Sequence, residues 1–279
     1  MFVVAAITMV IWSVVGAPWS DTHDRAALSN GRRGVPHPRA PVPSAGTTTT
    51  STTSPHPLTG KIIVIDPGHN GGNFQDPSYI NQPIWNGREE EACDTTGTET
   101  DSGYTEAQFN FNVALEVQQD LQAQGATVVL TRSNNTGVGP CITQRTEIAN
   151  EMHAAAALSI HADGGPPTGR GFAILEPVPD GPNDNVITSS DQLALDLRSA
   201  FAAGTGMPIS TYDGVDGLAP RDDLAGVNLT TVPKVFIECG NMRNSTDAAL
   251  LVDPAWQQRA AEAIAQGLAT FLLQDSGQQ

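Results

Sequence analysis

The sequence predicts an α/β fold: a single domain with a mainly parallel central sheet flanked by helices on both faces. Short apolar runs rich in β-branched residues alternate along the chain with longer runs in which apolar residues recur at helical spacing. Three of the apolar runs are closely followed by a histidine or a glutamate. Because ligands of open α/β sheets lie beyond the carboxyl ends of the strands, we expect the active site at that edge.

The predicted elements follow one another between residues 59 and 275, which we expect to form the folded domain. Strands are predicted at 61–65, 126–131, 154–160, 171–175 and 234–237. Helices are predicted at 105–125, 142–152, 193–201 and 255–273, the first with Thr105 as its N-cap and Gly125 just beyond its end. The polar residues 73–103 are expected to form a long loop bordering the substrate groove, with glutamates 89–91 as a solvated run.

The stretch before this domain has a different composition. Residues 1–17 begin with an uncharged apolar run, shorter than the roughly 20 residues of a membrane span, and small residues follow it. We interpret it as an export signal rather than a membrane anchor. Residues 18–58 are rich in Ser, Thr and Pro and are expected to form a disordered tether. The protein is therefore expected in the periplasm, the cell wall or the extracellular space, without stable membrane insertion after signal removal.

The formal net charge of −16 limits the class of partner. Nucleic-acid phosphates are bound by lysine and arginine, which are outnumbered here, so a nucleic-acid partner is excluded. Binding to anionic lipid surfaces is disfavoured for the same reason.

The three cysteines predict one disulfide in an exported protein. Cys93 and Cys141 both lie in turn-rich, loop-like segments, whereas Cys239 lies in a continuous apolar strand. A thiol buried in such a strand usually stays free. We therefore predict a Cys93–Cys141 disulfide and a free Cys239.

Four side chains are placed to form a metal centre. His69 follows the first strand after Asp-Pro-Gly, His161 follows the third strand, Glu238 ends the last strand, and Glu106 lies in the first turn of the first long helix. Two imidazoles and one carboxylate make a zinc site with an open fourth position. A further carboxylate can take a proton from a zinc-activated water and pass it to a leaving amine. Of the other histidines, His153 is expected to be solvated or to cap a helix, and three lie in the tether: His23, His37 and His56.

Six motifs occur in order along residues 61–273. They are Asp66-Pro67-Gly68-His69, Glu106 with Asn110, Leu130-Thr131-Arg132, Arg145 with Ala149-Asn150, Ser159-Ile160-His161-Ala162, and Pro233 to Glu238 with Gly240 and Asn244. Together they resemble the zinc-dependent N-acetylmuramoyl-L-alanine amidases of the amidase-3 type, which cut peptidoglycan. Asp163 stands where the family frequently has asparagine, and is expected to bind the metal or a cationic part of the peptide.

The resemblance implies a mechanism and a substrate. It implies that His69, Glu106 and His161 bind one Zn²⁺ per chain and that Glu238 is the general base and then the general acid. The bond hydrolysed would be the lactyl amide that joins N-acetylmuramic acid to the L-alanine of the stem peptide. We expect a monomer with a single catalytic domain and no separate wall-binding module; whether a protein activator exists stays open.

Arginines and an asparagine near these motifs are candidate substrate contacts. Arg132, Arg221 and Asn244 are assigned to substrate binding, since stem peptides carry several carboxylates that arginine binds well. Arg145 is expected instead to form a structural pair within its own helix.

Two other functions remain open at this stage. One is a zinc peptidase of similar sheet architecture acting on another exported peptide, which product analysis would distinguish. The other is a wall-binding protein that has lost catalysis, although Glu238, the expected base, is still present.

Overall fold

The computed structural model of this chain describes residues 56–275. The predicted export signal (1–17) and most of the predicted tether (18–58) lie outside the described residues. Leu58 is fully buried in the core, and its N–H donates to the carbonyl of Gln124 at 3.0 Å. The folded domain therefore begins before residue 59, because an apolar side chain that was assigned to the tether packs in the core.

Eight strands form two sheets. In chain order they are β1 (Ile62–Pro67), β2 (Pro83–Trp85), β3 (Glu90–Ala92), β4 (Thr127–Leu130), β5 (Ala156–Asp163), β6 (Ala173–Pro177), β7 (Leu218–Arg221) and β8 (Lys234–Asn241). The central sheet has the order β4-β1-β5-β8-β6-β7, and β2 and β3 form a separate antiparallel hairpin. Every neighbouring pair in the central sheet is parallel except β6 and β8. The prediction of a mainly parallel central sheet is confirmed.

Helices cover both faces of the central sheet, as predicted. They are α1 (Pro77–Ile80), α2 (Glu106–Ala123), α3 (Ile142–Glu151), α4 (Ile187–Thr205), α5 (Ala225–Asn228), α6 (Ser245–Leu251) and α7 (Pro254–Asp275). The main core lies between the sheet and α2, α4 and α7. Two smaller clusters on the other face involve α3 and α5. No helix in the stretch 56–275 is both long and apolar enough to pass through a bilayer.

Side chains along β5 and β8 point alternately into the main core and toward the opposite face of the sheet, where the site lies. Ile160 and Ile237 point into the main core. Their neighbours His161 and Glu238 lie on the opposite face, because successive side chains of a strand alternate. The two residues are direct register partners in the parallel β5–β8 pair. The pairing of two distant strands thus brings an imidazole and a carboxylate together.

The prediction that residues 73–103 form one long loop is wrong. The segment contains a 3-10 turn at Asn73–Gln75, helix α1 and the β2–β3 hairpin. Elements of three or four residues are too short to show a period in the sequence, and β7 and α5 were not predicted for the same reason. Helix α6 was also not predicted, since its seven residues make only about two turns. The glutamate run is not uniformly solvated either: Glu91 is partly buried and accepts a hydrogen bond from Ala225 N at 3.0 Å.

The predicted Cys93–Cys141 disulfide is confirmed, and Cys239 is a buried free cysteine. The bond closes a loop with a sequence separation of 48 residues and connects the segment after β3 to the start of α3. Replacing both bonded cysteines by serine is expected to lower the free energy of unfolding by about 2–4 kcal/mol, since the unfolded chain loses a constraint. Denaturant titration measures this change, and added reductant should destabilise the wild type but not the double variant. Labelling of all three thiols in unreduced, unfolded protein would contradict the assignment.

Candidate metal centre

His69 is held in a fixed orientation just beyond the end of β1. Its backbone has φ of 57°, in the left-handed region that residues other than glycine rarely adopt. Its Nε2 lies 3.1 Å from Glu106 Oε2, while its Nδ1 lies 3.3 Å from Asp94 Oδ1 and 3.2 Å from the Thr95 carbonyl. Partners of this kind on the second ring nitrogen orient histidine ligands of metals. Nε2 is therefore the atom that this histidine offers to a metal.

Glu106 is the central member of the group. It is the first residue of α2, whose N-cap Thr105 accepts a hydrogen bond from Gln108 N, as predicted for this position. Its Oε1 lies 2.9 Å from His161 Nδ1, and its Oε2 accepts from Thr98 N at 3.0 Å. Burial favours the neutral acid, but the two imidazoles hold the pKa of Glu106 well below its usual value. The carboxylate is therefore ionised, as a metal ligand must be.

His161 lies between Gly68 and an aromatic ring. Its imidazole stacks on Phe236 with ring centroids 5.1 Å apart, and a Cβ on Gly68 would lie 2.0 Å from His161 Cε1. Only glycine fits at position 68, which explains why glycine is the third residue of the Asp-Pro-Gly-His turn. The ring centroids of His161 and His69 are 5.0 Å apart.

The three predicted ligands form one group that fits a metal ion. Among residues 56–275, His69, Glu106 and His161 offer ligand atoms that all lie within 4.8 Å of one another. Atoms bound to one zinc ion at roughly 2.0–2.2 Å must lie about this close together. Asp163, the other candidate ligand, lines the same cavity but is not part of the group.

The electrostatics of His69 couple metal binding to pH. Burial alone would lower the pKa of His69, but the Glu106 carboxylate and Asp94 outweigh it and raise the pKa to about 10. The imidazolium therefore stabilises the metal-free fold below its unfolded value near 6.5, and this contribution is lost as pH rises through the folded value. A metal entering the site at neutral pH must displace this proton.

Glu238 lies beside the three ligands without belonging to them. It lies within β8, which continues to Asn241 rather than ending at Glu238 as predicted. It lines the cavity and has one oxygen, Oε2, that is buried and has no hydrogen-bond partner among the described residues. Burial, followed by the charges of Glu106 and Asp163, raises the pKa of Glu238 well above its usual value. A carboxylate with a raised pKa and an unpaired oxygen is suited to accept and return a proton near neutrality.

A cavity of about 440 Å³ opens over these groups. Besides the four predicted residues, it is lined by charged side chains that include Glu91, Asp163 and Arg221. Arg221 forms a bidentate pair with Asp223, with both N···O distances at 2.7 Å, and its side chain remains 31 % exposed. Of the three predicted substrate contacts, Arg221 is the one that the structure places in this cavity.

Arg132 and Asn244, the other two predicted substrate contacts, have partners within the protein and are not among the residues that line the cavity. Arg132 is buried, and its five N–H groups donate to acceptors within the protein, among them the carbonyls of Pro67 and Ala107. Asn244 is the N-cap of α6, and its Nδ2 donates to Pro167. All five N–H groups of Arg132 are used within the protein, and Asn244 connects the start of α6 to the loop at Pro167.

Arg145 is structural, but not within its own helix as predicted. Its guanidinium donates to Asp66 Oδ1 at 2.9 Å, to Asp94 Oδ2 at 3.0 Å and to the His69 carbonyl at 2.9 Å. It therefore fixes both the backbone of a metal ligand and the carboxylate that orients its ring. Asp94 was not predicted from the sequence. The feature that could have pointed to it is its position next to the disulfide-bonded Cys93.

The fold and this site together are those of a hydrolase in which two histidines and one carboxylate form a group suited to a metal ion, with a further carboxylate beside it. The sequence profile of the family described as N-acetylmuramoyl-L-alanine amidase (Amidase_3) matches residues 63–270. The chain belongs to this family.

Individual relatives agree with the family assignment. The N-acetylmuramoyl-L-alanine amidase Rv3717 of Mycobacterium tuberculosis is 38 % identical over 226 residues, which cover 78 % of this chain and 89 % of that protein. The crystal structure of the N-acetylmuramyl-L-alanine amidase Ami1 from Mycobacterium smegmatis has 42 % identity and a TM-score of 0.73, covering 80 % of this chain and 99 % of that one. The catalytic domain of the amidase CwlV from Bacillus (Paenibacillus) polymyxa is more distant, with 26 % identity, a TM-score of 0.58, and coverage of 76 % and 98 %.

Proposed function

We propose that this chain is a zinc-dependent, exported N-acetylmuramoyl-L-alanine amidase that hydrolyses the lactyl amide between N-acetylmuramic acid and L-alanine in peptidoglycan. His69, Glu106 and His161 bind the metal, and Glu238 carries the proton. The observation that carries the proposal is the convergence of three ligand atoms within 4.8 Å, with Glu238 paired in register to one of the ligands. Wall remodelling, turnover or daughter-cell separation are processes that need this reaction.

Glu238 performs the proton transfers. Zinc, when bound, lowers the pKa of a water molecule and polarises the scissile carbonyl. Glu238 accepts the proton that the attacking water loses and later donates it to the amine nitrogen of the leaving L-alanine. The acyl carbon gains the hydroxyl group as its bond to that nitrogen breaks, leaving a lactyl carboxylate on the sugar and a free amine on the peptide.

Two further residues support binding and orientation. Asp94 keeps Nε2 of His69 directed at the metal position, since it holds the other ring nitrogen. Arg221, partly exposed in the cavity, supplies a fixed cation for a carboxylate of the stem peptide, and its pair with Asp223 limits its rotation. A monomer acting in the periplasm, cell wall or outside the cell fits these roles.

Product analysis tests the proposed function. Purified protein incubated with muropeptides and zinc should release peptides that begin with a free L-alanine amine, and chelation should stop the release. Release of peptides cleaved within the stem would identify a zinc peptidase instead. Binding to wall material without any product would identify a non-catalytic wall-binding protein.

The metal content should depend on each ligand and on pH. His161→Ala is expected to lower bound zinc from about one ion per chain to near zero, because two ligands rarely retain zinc in a protein site. In the wild type, apparent zinc affinity should rise with pH across about pH 6–8, roughly tenfold per unit for the proton displaced from His69. Metal analysis and competition with a chromophoric chelator measure both effects.

His153→Ala serves as the matched control, since His153 is exposed and lies outside the metal group. Equal zinc content in the His161 variant and the wild type would contradict the ligand assignment. An affinity that does not change with pH would contradict the displacement of a proton.

A further inference from the structure

A second groove lies next to the metal cavity, on the other side of one loop segment. It has a volume of about 540 Å³, and the residues around it include Asn70, Phe74, Thr96, Thr98, Glu99 and Thr105. We refer to it as the Phe74 groove. Gly97 and Thr98 line both this groove and the metal cavity, so the segment at 97–98 is their common wall.

This common wall is fixed against the metal ligands. Thr98 N donates to Glu106 Oε2 at 3.0 Å, and Gly97 has φ of +71°. A Cβ on Gly97 would lie 2.6 Å from His69 Cδ2 and 2.7 Å from Glu106 Oε2, so the wall leaves no space between itself and the ligands. Two depressions therefore border the same metal centre on either side of a thin, rigid divider.

Phe74 presents an aromatic surface in the second groove. Its side chain is 67 % exposed although it is large and apolar. The preceding Asn73 is fully buried, donates to the Thr95 carbonyl at 2.6 Å and accepts from Gly139 N at 2.8 Å. The ring thus projects from a well-anchored turn and offers an apolar aromatic face to a ligand in the groove.

The other groups in the Phe74 groove are mostly uncharged hydrogen-bonding groups. Threonine hydroxyls and Asn70 line it, and Glu99 is the one charged residue among its lining residues. Asn70 is 5 % exposed, and its Oδ1 is buried without a hydrogen-bond partner in the described part of the chain. The metal cavity differs, since it is lined by several charged side chains including Arg221, Glu91 and Asp163.

We propose that the Phe74 groove binds the glycan strand of the substrate, while the stem peptide lies in the metal cavity toward Arg221. The inference rests on the proposed function, because in that reaction the substrate extends from the scissile amide in two directions, toward the glycan and toward the peptide. The acyl side of the amide leads to N-acetylated sugars, which are uncharged as long as their lactyl groups carry a peptide. The amine side leads to a peptide that carries carboxylates. A pyranose ring has a face of C–H groups that packs on an aromatic ring, and hydroxyl and acetamido groups that need uncharged donors and acceptors.

Glycan-length dependence tests this assignment. Two substrates carry the same dipeptide, one on a single N-acetylmuramoyl sugar and the other on both N-acetylmuramoyl sugars of a tetrasaccharide in which they alternate with N-acetylglucosamine. Rates are expressed per scissile bond. The measured quantity is the ratio of kcat/KM for the tetrasaccharide to kcat/KM for the single sugar. Phe74→Ala is expected to lower this ratio about tenfold relative to the wild type, because it removes the stacking surface. Phe74→Trp should keep the wild-type ratio.

Trp85→Ala provides the matched control. Trp85 is also an exposed aromatic residue, at 58 %, but it lies outside the lining of both depressions. The ratio should be the same in this variant and in the wild type. A wild-type ratio in Phe74→Ala, or an effect of that variant on peptide length rather than glycan length, would overturn the proposal.

A binding measurement separates this proposal from the proposed function. A tetramer of N-acetylglucosamine, which is uncharged, is titrated into the zinc-loaded full chain and followed by calorimetry. It should bind the wild type and bind Phe74→Ala about tenfold more weakly. If the wild type hydrolysed neither substrate, the proposed function would fail, and this titration would still decide the role of the groove. Equal affinity of the wild type and Phe74→Ala for the glycan would contradict the proposed role of the Phe74 groove.

Discussion

Glu238→Gln is expected to retain zinc and to lower kcat for muropeptide hydrolysis by about 10²–10⁴-fold. The amide keeps the size of the side chain but cannot take the proton from the attacking water or return it to the leaving amine. Zinc should remain, since the metal group of the described residues consists of His69, Glu106 and His161. Metal analysis and single-turnover kinetics on the same preparation measure the two quantities together.

The control for this variant is Glu147→Gln, which makes the same change on the exposed surface of α3. It should have wild-type kinetics. Full activity in Glu238→Gln would remove the proposed proton carrier, whereas loss of zinc in that variant would move Glu238 into the metal group.

Arg145→Met is expected to lower the free energy of unfolding by about 3–5 kcal/mol at neutral pH. The guanidinium is buried between the carboxylates of Asp66 and Asp94, and methionine leaves both of them without this cation. Burial would raise the pKa of Asp66, but Arg145 and Lys234 hold it far below its usual value. Denaturant titration measures the change in stability.

The destabilisation should shrink in acid. The depressed pKa values of Asp66 and Asp94 stabilise the wild type above the unfolded value near 3.8, and this contribution is lost as pH falls below it. Without Arg145 the buried carboxylates favour the neutral form. The variant therefore lacks the stability that the wild type loses when these groups become protonated in acid. The difference between the two proteins should therefore narrow from neutral pH toward about pH 3.

Arg259→Met, an exposed arginine on α7, is the control and should change stability by no more than about 0.5 kcal/mol. A similarly small effect of Arg145→Met would show that the buried ion pairs are not needed for the fold. A difference between variant and wild type that is independent of pH would assign the destabilisation to packing instead.

The long periodic elements and the metal ligands were predictable because their signals are local. The first long helix was predicted with its cap at Thr105, and Gly125 just beyond its end has φ of +94°. His69 and His161 were selected since each follows a buried strand at a turn or strand end. The Cys93–Cys141 pair followed from the difference between loop-like and strand-like surroundings.

The short elements and the roles of the arginines were not predictable in the same way. A four-residue strand such as β7 is too short to show a period, and its place beside β6 depends on pairing between distant segments. Arg132 and Arg145 both resemble substrate contacts or local pairs in sequence, yet each is buried and donates to several segments at once. The partners of a long charged side chain depend on which backbone carbonyls surround it after folding.

By itself, the sequence determined the class of the fold, the family and the disulfide, and it singled out the three residues that the structure brings together and Glu238 beside them. These features were accessible because strand and helix periods and ordered motifs are local properties of the chain. Only the tertiary structure decided that Asp94 and Arg145 support His69, that Arg221 faces the substrate cavity, and that a second groove with Phe74 borders the same metal position. The physical reason is that these relations are distances between segments far apart in the chain, set by the register of β5 with β8 and by the packing of loops over the sheet edge.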